Sequence, residues 1–203
     1  MFDNILQDWT RNFLRDIKPQ DFPEKSYLGG GTAIALQLGH RRSVDLDFFT
    51  PTKFIESQWE QSLEEDFKFK LVQRDEQALI GTVGKVKLSL MGYKYKLIGR
   101  QEKYHKINVA SLTDLAAMKL DTVINRGAKR DFIDLYFLAK KYGLEALLEF
   151  YERKFENLQD RALMIKKGLI YFEMADKEYM PEMLVPADWK QIKSWFIQEV
   201  RKV

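Results

Sequence analysis

Two aspartates separated by one residue, Asp45 and Asp47, are the side chains of this sequence that most directly predict chemistry. They lie in a strictly alternating segment, VDLDFF, so a β-strand there would place both carboxylates on one face and the apolar side chains, beginning with Val44, on the other. Like charges about 4 Å apart repel by about 4 kcal/mol at an effective dielectric of 20, so a half-buried pair favours a cation. Mg²⁺ prefers such oxygen ligands and usually arrives with nucleotide phosphates, with Mn²⁺ as the alternative. A strand that only shows a polar face to water is the simpler interpretation, which the low strand preference of Asp weakens.

A glycine run, GGGT at 29–32, comes shortly before the aspartates. Glycine lets the backbone approach a ligand closely, and a helix that begins there offers free amide groups to a phosphate. Such a turn alone is more often a tight bend, and its place ahead of a carboxylate pair makes it informative. The connecting loop HRRS adds basic groups, although simple solvation of that loop is the alternative. The candidate nucleotide-binding residues here are Gly30, Gly31, Thr32, Arg42 and Ser43.

Strand and helix patterns divide the chain into two regions. In the first, spacing predicts helices over 2–15, 32–38 and 55–64, and strands over 27–28, 44–49, 67–72, 79–83, 86–91 and 93–98. In the second it predicts helices only, over 111–125, 131–142, 144–155, 162–174 and 189–200. We therefore predict an α+β fold. Residues 1–105 would form a mixed sheet with flanking helices, its last four strands an antiparallel meander, and residues 106–203 a helical bundle that completes a cleft between the two regions.

Composition excludes several classes of protein. The 203 residues are 45 % hydrophobic, enough for a sizeable core, and 33 basic against 30 acidic residues do not by themselves indicate a nucleic-acid binder. The absence of cysteine excludes disulfides, thiolate zinc sites and cysteine nucleophiles, and it fits a reducing cytoplasm. His40 and His105 are too few and too separated for a metallohydrolase. No signal peptide and no apolar run near the roughly 20 residues of a membrane span is evident, so we expect a cytoplasmic protein without a membrane partner.

Two stretches carry a resemblance to a known family. LGGGTAIALQLGHRRSVDLDFFT at 28–50 resembles the opening motif of the AbiEii toxin family of nucleotidyltransferases, and LTDLAAMKLDTVINRGAKRDFIDLYFL at 112–138 resembles its second block. The resemblance implies a nucleotidyltransferase fold in which Asp45 and Asp47 hold the metal and triphosphate. It also implies that Lys119, Arg130 and Asp131 complete the active site. The implied activity is Mg²⁺-dependent transfer of an NMP from an NTP to an acceptor hydroxyl, with RNA, and tRNA first, as acceptor and an antitoxin as partner.

The second stretch also has an interpretation of its own. Lys119 and Arg126 are seven residues apart and therefore share one helix face, which could look into the cleft. Asp131, near the start of the next helix, would either act as a base toward the acceptor hydroxyl or orient Lys119. A surface lysine and a helix N-terminal charge are the simpler interpretations of Lys119 and Asp131.

One departure from the family pattern concerns a third carboxylate, which many nucleotidyltransferases carry on a later strand. In VGKVKLSLMGYKY that place is taken by Ser89. Either one metal is sufficient, or Asp131 supplies the missing charge, or catalysis is weak. Two rival functions stay open: an AMP transferase acting on a protein hydroxyl, an activity that the resemblance to this fold also allows, and a degenerate nucleotide- or RNA-binding module, which Ser89 favours. Basic clusters at 94–106 and 126–130 could hold a phosphodiester backbone, whereas nearby tyrosines are more often half-buried strand residues than stacking platforms.

Overall fold

A mixed sheet lies in the first half of the chain in the computed structural model, which describes residues 1–156 and 158–203. Its strands are β1 (Tyr27–Leu28), β2 (Leu46–Thr50), β3 (Lys70–Asp75), β4 (Ala78–Val83), β5 (Val86–Gly92), β6 (Glu102–Tyr104) and β7 (Ile107–Val109). They are arranged in the order β3-β4-β5-β2-β1-β7-β6. The pairs β2–β5 and β1–β7 are parallel, and the other neighbours are antiparallel. The aspartate strand β2 is thus an interior strand of the sheet.

Helices flank the sheet and make up most of the chain after it. They are α1 (Asp8–Asp16), α2 (Gly30–Leu38), α3 (Glu56–Phe67), α4 (Leu112–Asn125), α5 (Lys129–Tyr142), α6 (Leu144–Phe155), α7 (Leu158–Leu169), α8 (Glu173–Asp176) and α9 (Trp189–Val200). Helix α4 follows the capping residue Ser111, whose hydroxyl accepts a hydrogen bond from the Asp114 amide. The α+β class is confirmed. The division of the chain at residue 105 stays a prediction, and the sheet itself continues to Val109.

The predicted helix over 2–15 is split in two. A short 3₁₀ turn, Asp3–Ile5, precedes α1, and Leu6 is extended between them. Arg11 explains the break, because its guanidinium donates to the carbonyls of Asp3 and Leu6 at 3.2 and 3.1 Å, which a continuous helix would have paired internally. The predicted helix over 162–174 also differs: α7 ends at Leu169 and α8 begins at Glu173.

The strand predicted over 93–98 is a loop, although the β3–β4–β5 meander before it is confirmed. Side chains from the helical region satisfy its backbone instead of a neighbouring strand. The Asp114 carboxylate accepts from the amides of Ile98 and Gly99 at 2.9 and 3.0 Å, and the Lys154 ammonium donates to the carbonyl of Lys96 at 3.0 Å. The sheet instead gains the β6–β7 hairpin, which alternation did not reveal because each strand has three residues.

Alternate side chains of β2 point to opposite faces of the sheet. Leu46, Phe48 and Thr50 are buried, and Asp47 and Phe49 are half-buried on the other face. Val44 was expected to begin the strand on its apolar face, but it precedes the strand and is exposed. Among the described residues, no helix has both the length and the apolar character needed to cross a membrane.

Candidate active site

A cavity of about 380 Å³ opens between the β2–β5 part of the sheet and helices α4 and α5. It brings together every predicted site residue except Arg42. The predicted residues that line it are Gly30, Gly31, Thr32, Ser43, Asp45, Asp47, Lys119, Arg130 and Asp131. The two stretches that carry the family resemblance therefore meet in one cavity, although they are far apart in sequence.

The sheet forms one wall of this cavity, in rows set by the parallel pairing of β2 and β5. Asp47 lies opposite Ser89, and Phe49 lies opposite Met91. The Ser89 hydroxyl faces the Asp47 carboxylate and lowers its pKa. Lys87 shares the Ser89 face of β5 and also lines the cavity. The wall therefore runs from charged residues at one end to apolar residues at the other.

The ionised form of Asp47 is disfavoured in the free protein, and a bound cation would stabilise it. Burial and the neighbouring charge of Asp45 raise the pKa of Asp47, although the Ser89 hydroxyl and the charges of Lys119 and Lys87 partly offset this. Asp45, which immediately precedes β2, has a side chain that is 30 % exposed and lies 3.4 Å from the Arg130 guanidinium. That long, half-exposed contact contributes little to stability and leaves Arg130 available to a substrate.

The glycine turn locks directly onto the aspartate strand. Gly30 has a φ of +64°, and a Cβ there would lie 2.3 Å from Oδ2 of Asp47. A side chain is excluded at Gly30 on both grounds. The Gly29 amide also donates to the carbonyl of Asp47 at 2.8 Å. The turn at the start of α2 and the Asp47 carboxylate are therefore fixed relative to each other.

Thr32 and Ser43 connect the glycine turn to Asp45. The buried Thr32 hydroxyl donates to the carbonyl of Asp45 and lies 2.8 Å from the Ser43 hydroxyl. Because a hydroxyl has one proton, these contacts make the Thr32 side chain a support for the loop. The turn backbone at this part of the cavity surface could meet a phosphate, as could the Ser43 hydroxyl once its proton turns away from Thr32.

The helical wall presents cations held by buried carboxylates. The Lys119 ammonium lies 2.9 Å from Asp131 and 3.1 Å from Asp134, and both carboxylates are fully buried. Arg126 donates to both oxygens of Asp131 at 2.8 to 3.0 Å, which bears out the shared face predicted for Lys119 and Arg126. Since both Asp131 oxygens are already occupied, the geometry favours an orienting role for Asp131 over that of a general base.

The loop before β2 turns a different arginine to the cavity than we predicted. Arg42 donates to Glu182 at 2.6 Å and to the carbonyl of Asn4 at 2.9 Å, and it does not line the cavity. Its neighbour Arg41 lines the cavity and forms two bonds to Asp134, at 2.7 and 2.8 Å. Both arginines belong to one short loop, so no periodic pattern distinguishes them.

Sequence comparison decides the family. A profile of the family described as "Nucleotidyl transferase AbiEii toxin, Type IV TA system" matches residues 12–88 and 93–202. The chain belongs to the AbiEii nucleotidyltransferase toxin family. An uncharacterized protein of Aquifex aeolicus (strain VF5) is similar to it, with 32 % identity over 182 residues, which cover 87 % of this chain and 86 % of that protein.

Solved structures share the AbiEii fold at low sequence identity. The antibiotic-resistance factor ANT(2'')-Ia matches with a TM-score of 0.53 and 13 % identity, over 76 % of this chain and 91 % of that one. MenT4, a nucleotidyltransferase toxin from Mycobacterium tuberculosis H37Rv, matches with 0.52 and 15 %, over 88 % and 76 %. JHP933 from Helicobacter pylori matches with 0.50 and 16 %, over 95 % and 86 %. These likenesses concern the fold, which is the nucleotidyltransferase-like α+β architecture that we predicted.

Membership in the AbiEii family establishes this chain as a nucleotidyltransferase toxin of a toxin–antitoxin system, with an NTP substrate and an antitoxin as its counterpart. The family does not state the acceptor. Within residues 1–156 and 158–203, no group of three or more His, Cys, Asp or Glu side chains is placed to hold a metal ion. Ser89, an uncharged residue, lies opposite Asp47 in the paired strands.

Proposed function

We propose that this toxin transfers an NMP from an NTP to a hydroxyl of RNA, with tRNA as the leading acceptor and Mg²⁺ as the metal. The observation that carries the proposal is the meeting of Asp45 and Asp47 with Lys119 across one cavity, beside a glycine turn. Carboxylates on one wall fit a metal, and a lysine on the other fits the phosphates. Because NTPs are abundant in the cytoplasm, the proposal places the activity there.

Asp45 and Asp47 would hold the Mg²⁺, or Mn²⁺ in its place. Their fit is supported by the raised pKa of Asp47, which burial and the charge of Asp45 cause and which a cation would lower. Two carboxylates without a third suit an ion that takes its remaining ligands from phosphates and water. When bound, such an ion would neutralise charge that builds up on the triphosphate during transfer.

The chain's own residues would bind the rest of the NTP. The backbone of Gly30 and Gly31, the Ser43 hydroxyl and Lys119 all line the cavity, and Gly31 and Lys119 both lie next to Asp134, so the triphosphate belongs beside them. Phe49 and Met91 form the apolar end, which suits a nucleobase. In the reaction the acceptor oxygen bonds to the α-phosphorus, the hydroxyl loses its proton, and the bond to the β-phosphate breaks to release pyrophosphate.

A basic segment beside the cavity supports RNA as the acceptor. The loop after β5 starts at Tyr93, whose ring lies 5.4 Å from that of Phe49 on the cavity wall. The exposed basic residues in and after this loop are Lys94, Lys96, Arg100, Lys103 and Lys106. A row of exposed cations leading away from a site can follow a phosphodiester backbone. Tyr93 and Tyr95 pack on neighbouring rings and Tyr104 is buried, so these tyrosines are not free to stack on bases.

Labelled nucleotides would test the transfer. The wild-type protein is incubated with each labelled NTP in turn, Mg²⁺ and total RNA, and we expect label in one RNA class with one preferred NTP. Asp45→Asn should abolish the labelling, and Asp160→Asn, at an exposed position on α7, should not. No transfer with any NTP, together with an Asp45→Asn protein indistinguishable from wild type, would contradict the proposal.

The same experiment distinguishes the two alternatives. Label on protein instead of RNA would identify an AMP transferase that acts on a protein hydroxyl. Ser89 in the place of a third carboxylate favours a degenerate binding module. In that case the NTP would raise the melting temperature of the protein, and no label would be transferred under any condition.

A further inference from the structure

Asp134 lies one helical turn after Asp131 on the helical wall of the cavity, and it is completely buried. It accepts two bonds from Arg41, at 2.7 and 2.8 Å, and lies 3.1 Å from the Lys119 ammonium. Nε2 of the buried His40 lies 2.8 Å from the same carboxylate. One carboxylate thus connects the loop before β2 with helices α4 and α5.

This arrangement fixes two buried cations. Arg41 and Lys119 are only 4 % and 6 % exposed, and buried charges of this kind are stable only when they are paired and hydrogen-bonded. Burial alone would raise the pKa of Asp134, but the charges of Arg41 and Lys119 and the bonds from His40 and Arg41 hold it well below its usual value. Asp134 therefore remains an anion that fixes both cations.

Both cations keep donors for a ligand. Among the described residues, Arg41 uses three of its N–H groups, two toward Asp134 and one toward the carbonyl of Arg42, out of the five that a guanidinium carries. Lys119 directs two of its three N–H groups at Asp131 and Asp134. Gly31 makes room for this guanidinium, because a Cβ there would lie 2.4 Å from Nη2 of Arg41. Arg41 and Lys119 both line the cavity, where the donors that remain could meet a ligand.

We propose that Asp134 is a positioning residue that holds Arg41 and Lys119 as a fixed pair, and that Arg41 is a further ligand of the triphosphate chain. The identity of that ligand as an NTP rests on the proposed function. The opposite wall bears Asp45 and Asp47, which repel a polyphosphate, so fixed cations on the helical wall are well placed to hold one. The rigid fork of Arg41 also suits two phosphate oxygens at once, which a single ammonium does not.

Calorimetry with inorganic tripolyphosphate and EDTA tests Arg41 without metal and without transfer. We expect the full-length wild type to bind and Arg41→Gln to bind at least about tenfold more weakly. Arg42→Gln removes the same charge from a neighbour that faces Glu182, and it should stay within about twofold of wild type at fixed ionic strength. Arg41→Gln with wild-type affinity would overturn the role of Arg41.

Asp134→Asn tests whether Asp134 positions the two cations, because the two possible roles predict opposite changes in tripolyphosphate affinity. If Asp134 acted only as a nearby negative charge, its removal would strengthen tripolyphosphate binding. A positioning residue predicts the opposite, a loss of several-fold, because the amide cannot hold both cations. Tighter binding would overturn the proposal. If circular dichroism shows that either neutral variant is unfolded, Arg41→Lys decides: several-fold weaker binding supports the proposal, and wild-type affinity contradicts it.

The two proposals can fail separately. Tripolyphosphate binding in EDTA needs no acceptor, so it can be measured even if no RNA is ever labelled. Conversely, labelled RNA together with an Arg41→Gln variant that binds tripolyphosphate normally would leave the proposed reaction intact and reject the role of Arg41.

Discussion

On the sheet wall of the cavity, Asp45 and Asp47 have few cations of their own, and Asp45 is still 30 % exposed. On the helical wall, Asp131 and Asp134 are fully buried, and each is bonded to two cationic side chains. The pKa directions follow this contrast, since that of Asp47 is raised and that of Asp134 is lowered. The carboxylates of the sheet wall lack compensating positive charge until a ligand supplies it, whereas those of the helical wall are already paired with cations in the absence of a ligand. Substitutions of the carboxylates on the sheet wall should thus abolish activity without lowering stability, whereas substitutions of those on the helical wall should lower both.

The largest effect should come from Asp47→Asn. We expect transfer to fall by about 10³-fold or more, because the metal loses one of its two protein ligands. Stability should not fall with it, since the substitution removes a half-buried charge that repels Asp45. Measuring kcat/KM and the urea midpoint on one preparation checks both. A variant that is active but less stable would contradict the expectation that the sheet wall serves activity and not stability.

On the helical wall, Asp134→Ala should cost about 3–5 kcal/mol in the free energy of unfolding, because it leaves two buried cations without their shared partner. The matched control is Asp8→Ala, since Asp8 is 89 % exposed in its pair with Arg11 and should change stability by about 1 kcal/mol or less. Urea unfolding of the two variants beside wild type gives the difference. An equal loss of unfolding free energy in both variants would show that the buried carboxylate stabilises the fold no more than an exposed one.

The two walls also differ in how far the sequence predicts them. The carboxylate pair follows from a period of two within six residues, and Lys119 and Arg126 follow from helical spacing. The contact between Arg41 and Asp134 joins residues 93 apart, and no local pattern contains it. The sheet wall is therefore largely readable from the sequence, whereas the helical wall depends on how distant segments pack.

Long-range contacts also explain the error in the fold prediction. The alternation in 93–98 is as regular as that of a strand, but Lys154 and Asp114, from helices α6 and α4, satisfy its backbone and keep it a loop. The choice between Arg41 and Arg42 has the same origin. The backbone of their loop pairs with Met183 and Glu182, far along the chain, and this pairing sets which arginine faces inward.

A smaller, pH-dependent effect should separate the walls in acid. Because the pKa of Asp134 is lower in the folded protein than its usual value of 3.8, its stabilisation is fully present above that value and is lost as the pH falls toward the folded pKa. The stability gap between wild type and Asp134→Asn should therefore be constant at neutral pH and shrink below about pH 4. Urea midpoints from pH 7 to pH 2.5 measure the gap. A gap that widens in acid would mean that the carboxyl is protonated in the native state.

Ser89→Asp should give the smallest effect and the sharpest test of the sheet wall. It adds a third carboxylate beside Asp47, where the parallel pairing with β2 holds position 89. Without metal, the added repulsion of about 1–2 kcal/mol should lower the melting temperature by about 2–8 °C. Millimolar Mg²⁺ should restore the melting temperature, because the ion gains a ligand and binds the folded state more tightly. Calorimetric melts with EDTA and with Mg²⁺ give both values. A melting temperature insensitive to Mg²⁺ in the variant would mean that Asp45 and Asp47 do not hold a divalent ion, and the account of the sheet wall as a metal site would then be wrong.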